Sequence, residues 1–397
     1  PKFIFSQSFD FINNYELNTV MNHKLSGGNL KFEMDNIKNE DIDDINNTVR
    51  FNLKQVLDKN KILSLNSVLT NSISTTRSKN EEPIKFEDIY LRLDNYDFAL
   101  DNDYLRTEIS TVEAFDSANV SFIPFSPHIN YYNNFKFGKN FSNLNELDFR
   151  VIKRNNSQSD IPSENNSLKL NNYFISNNKI SDEIILFNKL SLFNNISKYT
   201  FKHDVDLNRS ERFHHLILSS DIYYNYFKNI KPRLKLIHNQ DIYHSDRIIN
   251  EDSNSLSFSY QNQFSDNRFF GTDKRENTSR IVYGFENSLK FNEIKFDLNF
   301  NQSYDFKRDN NFNKIINQGS HLSDYSIEGF TELNDINFNF DLRLDRSTFA
   351  KREMNARIYT DNPLQISVNY HETDKNAFNE KSNDTEYLGV SLEKELS

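Results

Sequence analysis

The chain has 397 residues, a formal net charge of −10, 36% hydrophobic and 14% aromatic content, and no cysteine. The absence of Cys excludes disulfides and thiolate metal sites, and the acidic balance gives no footing for nucleic-acid binding. The low apolar content would suit disorder, but 36 Phe and 19 Tyr argue for a fold that buries rings.

Read from the start, Pro1-Lys2-Phe3-Ile4-Phe5 lacks the basic stretch and long apolar core of a signal peptide. Alternating segments run from about Phe9 to Leu396. Tight turns are expected at Ser26-Gly27-Gly28-Asn29 and Asp361-Asn362-Pro363. Longer polar separators fall at Lys38–Asn47, Thr75–Pro83, Arg154–Asn166, Lys307–Ser320 and His371–Asp384. Aromatic clusters at Tyr131, Tyr132, Phe135 and Phe137, and at Tyr223, Tyr224, Tyr226 and Phe227, suit a girdle at strand ends. Further strands are expected through Leu256, Phe258 and Tyr260, and through Ile294, Phe296, Leu298 and Phe300. The alternation is strictest at Ile336-Asn337-Phe338-Asn339-Phe340-Asp341-Leu342-Arg343-Leu344, and it returns at Leu364, Ile366, Val368 and Tyr370.

In a strand, successive side chains point to opposite faces, so each segment has one oily and one wet side. Apolar runs such as Ile184–Phe187 are far short of the ~20 residues a membrane helix needs. Strands repeated along the whole chain, with long loops alternating with tight turns, predict an all-β fold. It is a large antiparallel transmembrane β-barrel of roughly 20–26 strands, occupying 1–397 as one domain. On this reading Ile336, Phe338, Phe340, Leu342 and Leu344 face lipid, and Asn337, Asn339, Asp341 and Arg343 face the lumen. The first strand region, Phe3–Leu17, and the last, Tyr387–Leu396, become two edges meeting at a seam that is open or only loosely closed.

No catalytic, cofactor or metal site is expected, and the chain reads as a non-enzyme. His214 and His215 are adjacent, so a strand would send them to opposite faces. No Gly-x-Ser-x-Gly elbow or His-Glu-x-x-His pair is present. The densest charge pattern runs from Asp246 to Ser253 and from Asn262 to Arg275. There Asp266, Arg268, Asp273 and Arg275 surround Gly271, and they are expected to form a charge network holding an ordered loop. Gly271 would supply a backbone angle that other residues resist. The bland alternative is an exposed loop with weak ion pairs.

That stretch resembles the signature region of LptD, the outer-membrane lipopolysaccharide-assembly barrel. The residues that carry the resemblance are Pro232, then Asn250–Ser253, then Phe264, Arg268, Phe269, Gly271, Asp273, Lys274, Arg275, Glu276, Arg280 and Tyr283-Gly284. Gln302-Ser303-Tyr304 and Ser323-Asp324-Tyr325 also fit, and weaker similarity includes Phe122–Tyr132. The chain departs from the family in lacking its periplasmic jelly roll, its cysteines and a terminal aromatic. Pro1 matches one of two early prolines, and none falls near Tyr15 for the other. The expectation is most of the barrel, cut at both ends.

The resemblance implies transport of lipopolysaccharide to the outer leaflet of a Gram-negative outer membrane, through a lateral gate between first and last strands. Pro1, Phe3, Phe5, Tyr387 and Val390 are the gate candidates. It also implies lipopolysaccharide and membrane lipids as partners, a plug lipoprotein like LptE, and a periplasmic Lpt bridge through the missing N-terminal domain. The alternative is a general porin or substrate channel, whose barrel would be fully closed. One tension stands: the sugar-phosphate cargo is anionic, and so is the chain.

Overall fold

The computed structural model describes every residue except 1, 10–14, 39–44, 71–83, 101, 116–119, 155–161, 203, 226–228, 246–253, 256–258, 271–273, 292–293, 308–320, 334, 361–364, 374–384 and 394–397. One sheet of 20 strands makes the wall. Its first half is β1 (Lys2–Phe9), β2 (Tyr15–Leu25), β3 (Gly28–Lys38), β4 (Ile45–Asp58), β5 (Lys61–Thr70), β6 (Ile84–Tyr96), β7 (Asp103–Phe115), β8 (Val120–Phe137), β9 (Phe141–Lys153) and β10 (Glu164–Lys179). It continues with β11 (Ile184–Thr200), β12 (Arg209–Tyr224) and β13 (Ile230–His244). A lumenal excursion then holds the short β14 (Asn254–Ser255), α1 (Tyr260–Gln263) and β15 (Phe269–Phe270). The wall resumes with β16 (Ser279–Phe291), β17 (Ile294–Asp305), β18 (Tyr325–Leu333), β19 (Ile336–Leu344), β20 (Lys351–Thr360), β21 (Gln365–Thr373) and β22 (Thr385–Glu393).

Each wall strand pairs antiparallel with its neighbour in sequence, and β13 pairs with β16 across the excursion. The connections sort by length. Every long separator expected from sequence follows an odd-numbered wall strand or, in the case of the excursion, lies between β13 and β16. The tight turns, such as that at Gly27 with φ 81°, all lie at the other end. In outer-membrane barrels the short turns are periplasmic and the long loops extracellular. That rule orients this wall.

Period-two alternation is visible in burial. Along β12, Glu211, Phe213, His215, Ile217, Ser219 and Asp221 are buried, while the residues between them are not. On β19, Asn337 and Arg343 are buried on the lumenal side, and Ile336 is 48% exposed on the outer side. The strict pattern of β19 is therefore realised with the expected face outward. Phe340 lies directly opposite Gly329. A Cβ on Gly329 would sit 2.1 Å from the Phe340 ring, so the ring covers the missing side chain.

Two expectations need correction. Tyr260 is not in a strand but opens α1, because the Ser259 side chain caps the turn by accepting from the Asn262 amide at 3.2 Å. The aromatic clusters also divide between faces. Phe135 and Phe137 are exposed on the outer wall, but Tyr132 stacks with Tyr104 in the lumen and Tyr223 lies under Arg233. Tyr226 and Phe227 lie outside the described residues. Adjacent strand residues cannot share a face, so a run of rings cannot all join one girdle.

Candidate functional site: a lumenal knot and an interrupted seam

Between β13 and β16 the chain turns into the lumen and packs on the wall. The wall there is apolar where a barrel interior is usually polar. Phe193, Phe213, Ile217, Ile237 and Val282 form a buried cluster with Tyr260 and Phe264 of the excursion. The small helix α1 is held by polar contacts at its rim. Asn301 Nδ2 donates to the Tyr260 carbonyl at 2.7 Å, and Ser303 Oγ donates to Gln263 Oε1 at 2.8 Å. Gly284 lies in the same wall. A Cβ there would sit 2.1 Å from the Phe300 carbonyl oxygen, so only glycine lets the two strands approach.

Charge then pins the excursion. Asp266 receives Lys235 at 2.7 Å and Lys189 at 2.9 Å. Burial alone would raise its pKa, but the two ammonium groups outweigh it and hold the carboxyl far below the usual range. Arg268 forks between Glu276, with Nε at 3.1 Å, and Asp305, with Nη2 at 3.0 Å. Arg280 also donates to Glu276 and to the Ser265 carbonyl. Arg268, Glu276, Arg280 and Asp305 are all buried. Burial would raise the Glu276 pKa, yet Arg268 and Arg280 keep it low. Beside them Arg343 Nε donates to Asp324 at 2.9 Å, and Ser323 Oγ accepts from the Ser303 amide at 2.9 Å. Of the signature residues, Phe264, Arg268, Glu276, Arg280, Ser303, Ser323 and Asp324 thus meet in one knot at the extracellular half of the lumen, while Asn250–Ser253 lie outside the described residues.

The expected network is therefore re-partnered. Asp266 pairs with Lys189 and Lys235 of the wall, and Arg268 with Glu276 of the excursion and Asp305 of the wall. Arg275 places its guanidinium 4.1 Å above the Phe193 ring, while Gly271 and Asp273 lie outside the described residues. The partners missed from sequence are Lys189, Lys235 and Asp305. Each shares the lumenal parity of its strand, which was the available signal.

Among the described residues, β1 and β22 meet at the seam by two residue pairs, Ser8 with Ser391 and Phe9 with Val390, and the register does not continue to Gln7–Leu392 or Ser6–Glu393. By contrast, β10 and β11 are joined from Glu164–Thr200 through Lys179–Ile185 without interruption. Phe3 and Phe5 pair with Met21 and Thr19 of β2, and the positions this register sets opposite Lys2–Phe5 on the last strand lie outside the described residues. Tyr387 pairs inward with His371 of β21. Of the gate candidates, Val390 stands in the seam ladder among the described residues; the register partners of Phe3, Phe5 and Tyr387 across the seam, and Pro1 itself, lie outside them.

The family model of LPS transport system D, LptD, matches residues 172–396, more than half of the chain and the part that holds the knot. The chain belongs to the LptD family. This places it in the outer membrane of a Gram-negative bacterium, in lipopolysaccharide transport. No curated protein matches the chain. Among solved structures, the FrpB iron transporter of Neisseria meningitidis is similar at TM-score 0.56 and 8% identity, covering 100% of this chain and 81% of that one. The ferric enterobactin receptor PfeA of Pseudomonas aeruginosa (Q482A mutant with enterobactin) gives 0.53 at 9% identity, with 100% and 81% covered. Fiu, the ferric-catecholate import receptor of E. coli K12, gives 0.53 at 8%, again with 100% and 81% covered. At such identity these likenesses show the outer-membrane barrel fold alone. Among the described residues of the family signature, Phe264, Arg268, Glu276 and Arg280 help fasten the excursion to the wall.

Proposed function

We propose that this LptD-family barrel inserts lipopolysaccharide into the outer leaflet by letting it leave sideways through the β1–β22 seam. The break in the seam ladder below Ser8–Ser391, where Gln7 and Ser6 do not pair with Leu392 and Glu393, carries this reading. In hydrocarbon each unpaired amide costs several kcal/mol, so a continuous ladder resists parting, whereas an interrupted one presents a smaller barrier. The break at Ser6 and Gln7 lies on the periplasmic side of the paired residues, where a lipid arriving from below would enter. The wet lumenal face would carry the sugars while acyl chains stay in the membrane. A plug lipoprotein of the LptE kind and a periplasmic Lpt bridge complete this reading as partners. A porin reading would require a continuous ladder at the seam.

Cysteines at Ser8 and Ser391 test the proposal, since directly opposed strand residues suit a disulfide. Oxidation of the full-length Ser8→Cys/Ser391→Cys protein should stop lipopolysaccharide delivery in reconstituted membranes, and reduction should restore it. Undiminished delivery by the oxidised protein would refute lateral exit.

A further inference from the structure

The lumenal charges that the structure describes are mostly answered. Lys189, Lys235, Arg233, Arg268, Arg280 and Arg343 each meet a carboxylate. The periplasmic rim beside the seam is different. A hollow of about 700 Å³ is lined there by Asn22, His23, Lys24, Gly28, Asn29, Lys54 and Val56. No Asp or Glu lines it, in a chain whose net charge is −10.

The register explains the placement. Lys24 lies directly opposite Asn29, and Asn29 directly opposite Lys54. All three share the lumenal face, because the parity can be followed strand by strand from the knot in either direction round the wall. Lys24 and Lys54 are thus two strand spacings apart, roughly 9.5 Å between backbones. Their flexible stems can converge on one group above Asn29. Both are exposed, and neither has a carboxylate partner among the described residues. Gly28 lets the two strands approach closely beside them: a Cβ there would lie 2.2 Å from the Lys54 carbonyl oxygen. Toward the seam, Lys2 of β1 takes the position opposite Asn22. Two unanswered ammonium groups flanking an amide, in a hollow with no carboxylate in its lining, make a receptor for a compact anion rather than a structural ion pair.

We propose that Lys24 and Lys54, with Asn29 between them, bind a phosphate group of the lipid cargo at the periplasmic lip of the seam. This rests on the translocation reading above and deepens it. It also answers the charge tension. An acidic chain can carry an anionic lipid if unpaired cations stand at the rim where the cargo enters. The chemistry recognised is an exposed phosphate, so free phosphate is the competing source, and the test must separate the two.

The test uses the full-length protein in phosphatidylcholine nanodiscs. The probes are lipopolysaccharide, the same material dephosphorylated by phosphatase, and inorganic phosphate. A lysine near an anionic lipid surface contributes about fivefold in affinity. Lys24→Gln/Lys54→Gln should therefore weaken binding of the phosphorylated lipid about 25-fold and leave the dephosphorylated lipid unchanged, while Lys24→Arg/Lys54→Arg should restore it. Wild-type binding should also weaken with salt, since the lysines are exposed. Equal binding of both lipid forms by wild type and the glutamine variant would overturn the proposal. Displacement of the lipid by equimolar inorganic phosphate would overturn its assignment to a lipid headgroup. The seam disulfide keeps the two readings apart. If oxidation blocks delivery while the glutamine variant binds normally, the phosphate site falls and lateral exit stands. If oxidation is without effect, lateral exit falls and the binding series still judges the site.

Discussion

Replacing Glu276 by Gln should unfasten the lumenal excursion. Glu276 accepts from the Arg268 amide and guanidinium and from Arg280, and all three side chains are at most 1% exposed. With Asp305 the knot holds two cations and two carboxylates, so it is formally neutral. Glutamine leaves one guanidinium charge unmatched and turns amide N–H groups toward other donors. Removing one partner of a buried ion pair costs about 3–5 kcal/mol. That corresponds to roughly two to three and a half orders of magnitude in the population of the detached excursion. Amide hydrogen exchange on the full-length protein, read for 263–268, measures it directly. Asp206→Asn, an exposed change in the β11–β12 loop, is the control and should stay within about 0.5 kcal/mol. Glu276→Gln exchange indistinguishable from this control would refute the view that the charge knot holds the excursion.

Acid should loosen the same segment. Glu276 and Asp266 both have folded pKa values below their ordinary ones. A depressed carboxylate stabilises fully above its unfolded pKa and less as pH falls toward its folded one, so protease resistance of 245–278 should hold above pH ~5 and decline below ~4. Loss on raising the pH instead would contradict the pairing. Phe340→Arg should lower assembly yield and urea resistance, since an Arg at mid-membrane on a barrel's outer face costs roughly 2–4 kcal/mol. Asn339→Arg, on the lumenal face, should be nearly neutral, and the reverse order would mean that the faces are misassigned. Gly284→Ala should destabilise the wall by about 1–3 kcal/mol, because its Cβ has no room beside the Phe300 carbonyl. Unchanged urea resistance would show that the β16–β17 approach is not constrained.

Much of the wall was legible because period two is a local property. The β19 segment Ile336–Leu344 is bounded in the structure as its alternation suggests, and the long separators all fall at one end. The lumenal excursion was not legible in the same way. Leu256, Phe258 and Tyr260 alternate like a strand, yet Ser259 caps a helix at Tyr260, and a one-turn helix leaves no periodic trace. The charges of the signature stretch were visible, but their partners were not. Lys189, Lys235 and Asp305 are distant in sequence and are brought in only by sheet order. The rim lysines were silent for the opposite reason. Lys24 and Lys54 are unremarkable singly, and only the β2–β3–β4 register aligns them on either side of Asn29.

Lateral exit through the β1–β22 seam is tested most directly by where lipopolysaccharide touches the wall during transport. Photo-crosslinking residues at Phe5 and Val390 would report the seam, and one at Phe174 the outer face of β10, far round the wall. Transport in cells carrying each full-length variant should give lipopolysaccharide adducts at Phe5 and Val390 and background at Phe174. Equal labelling at all three positions, or none at the seam while delivery proceeds, would contradict the seam as the route.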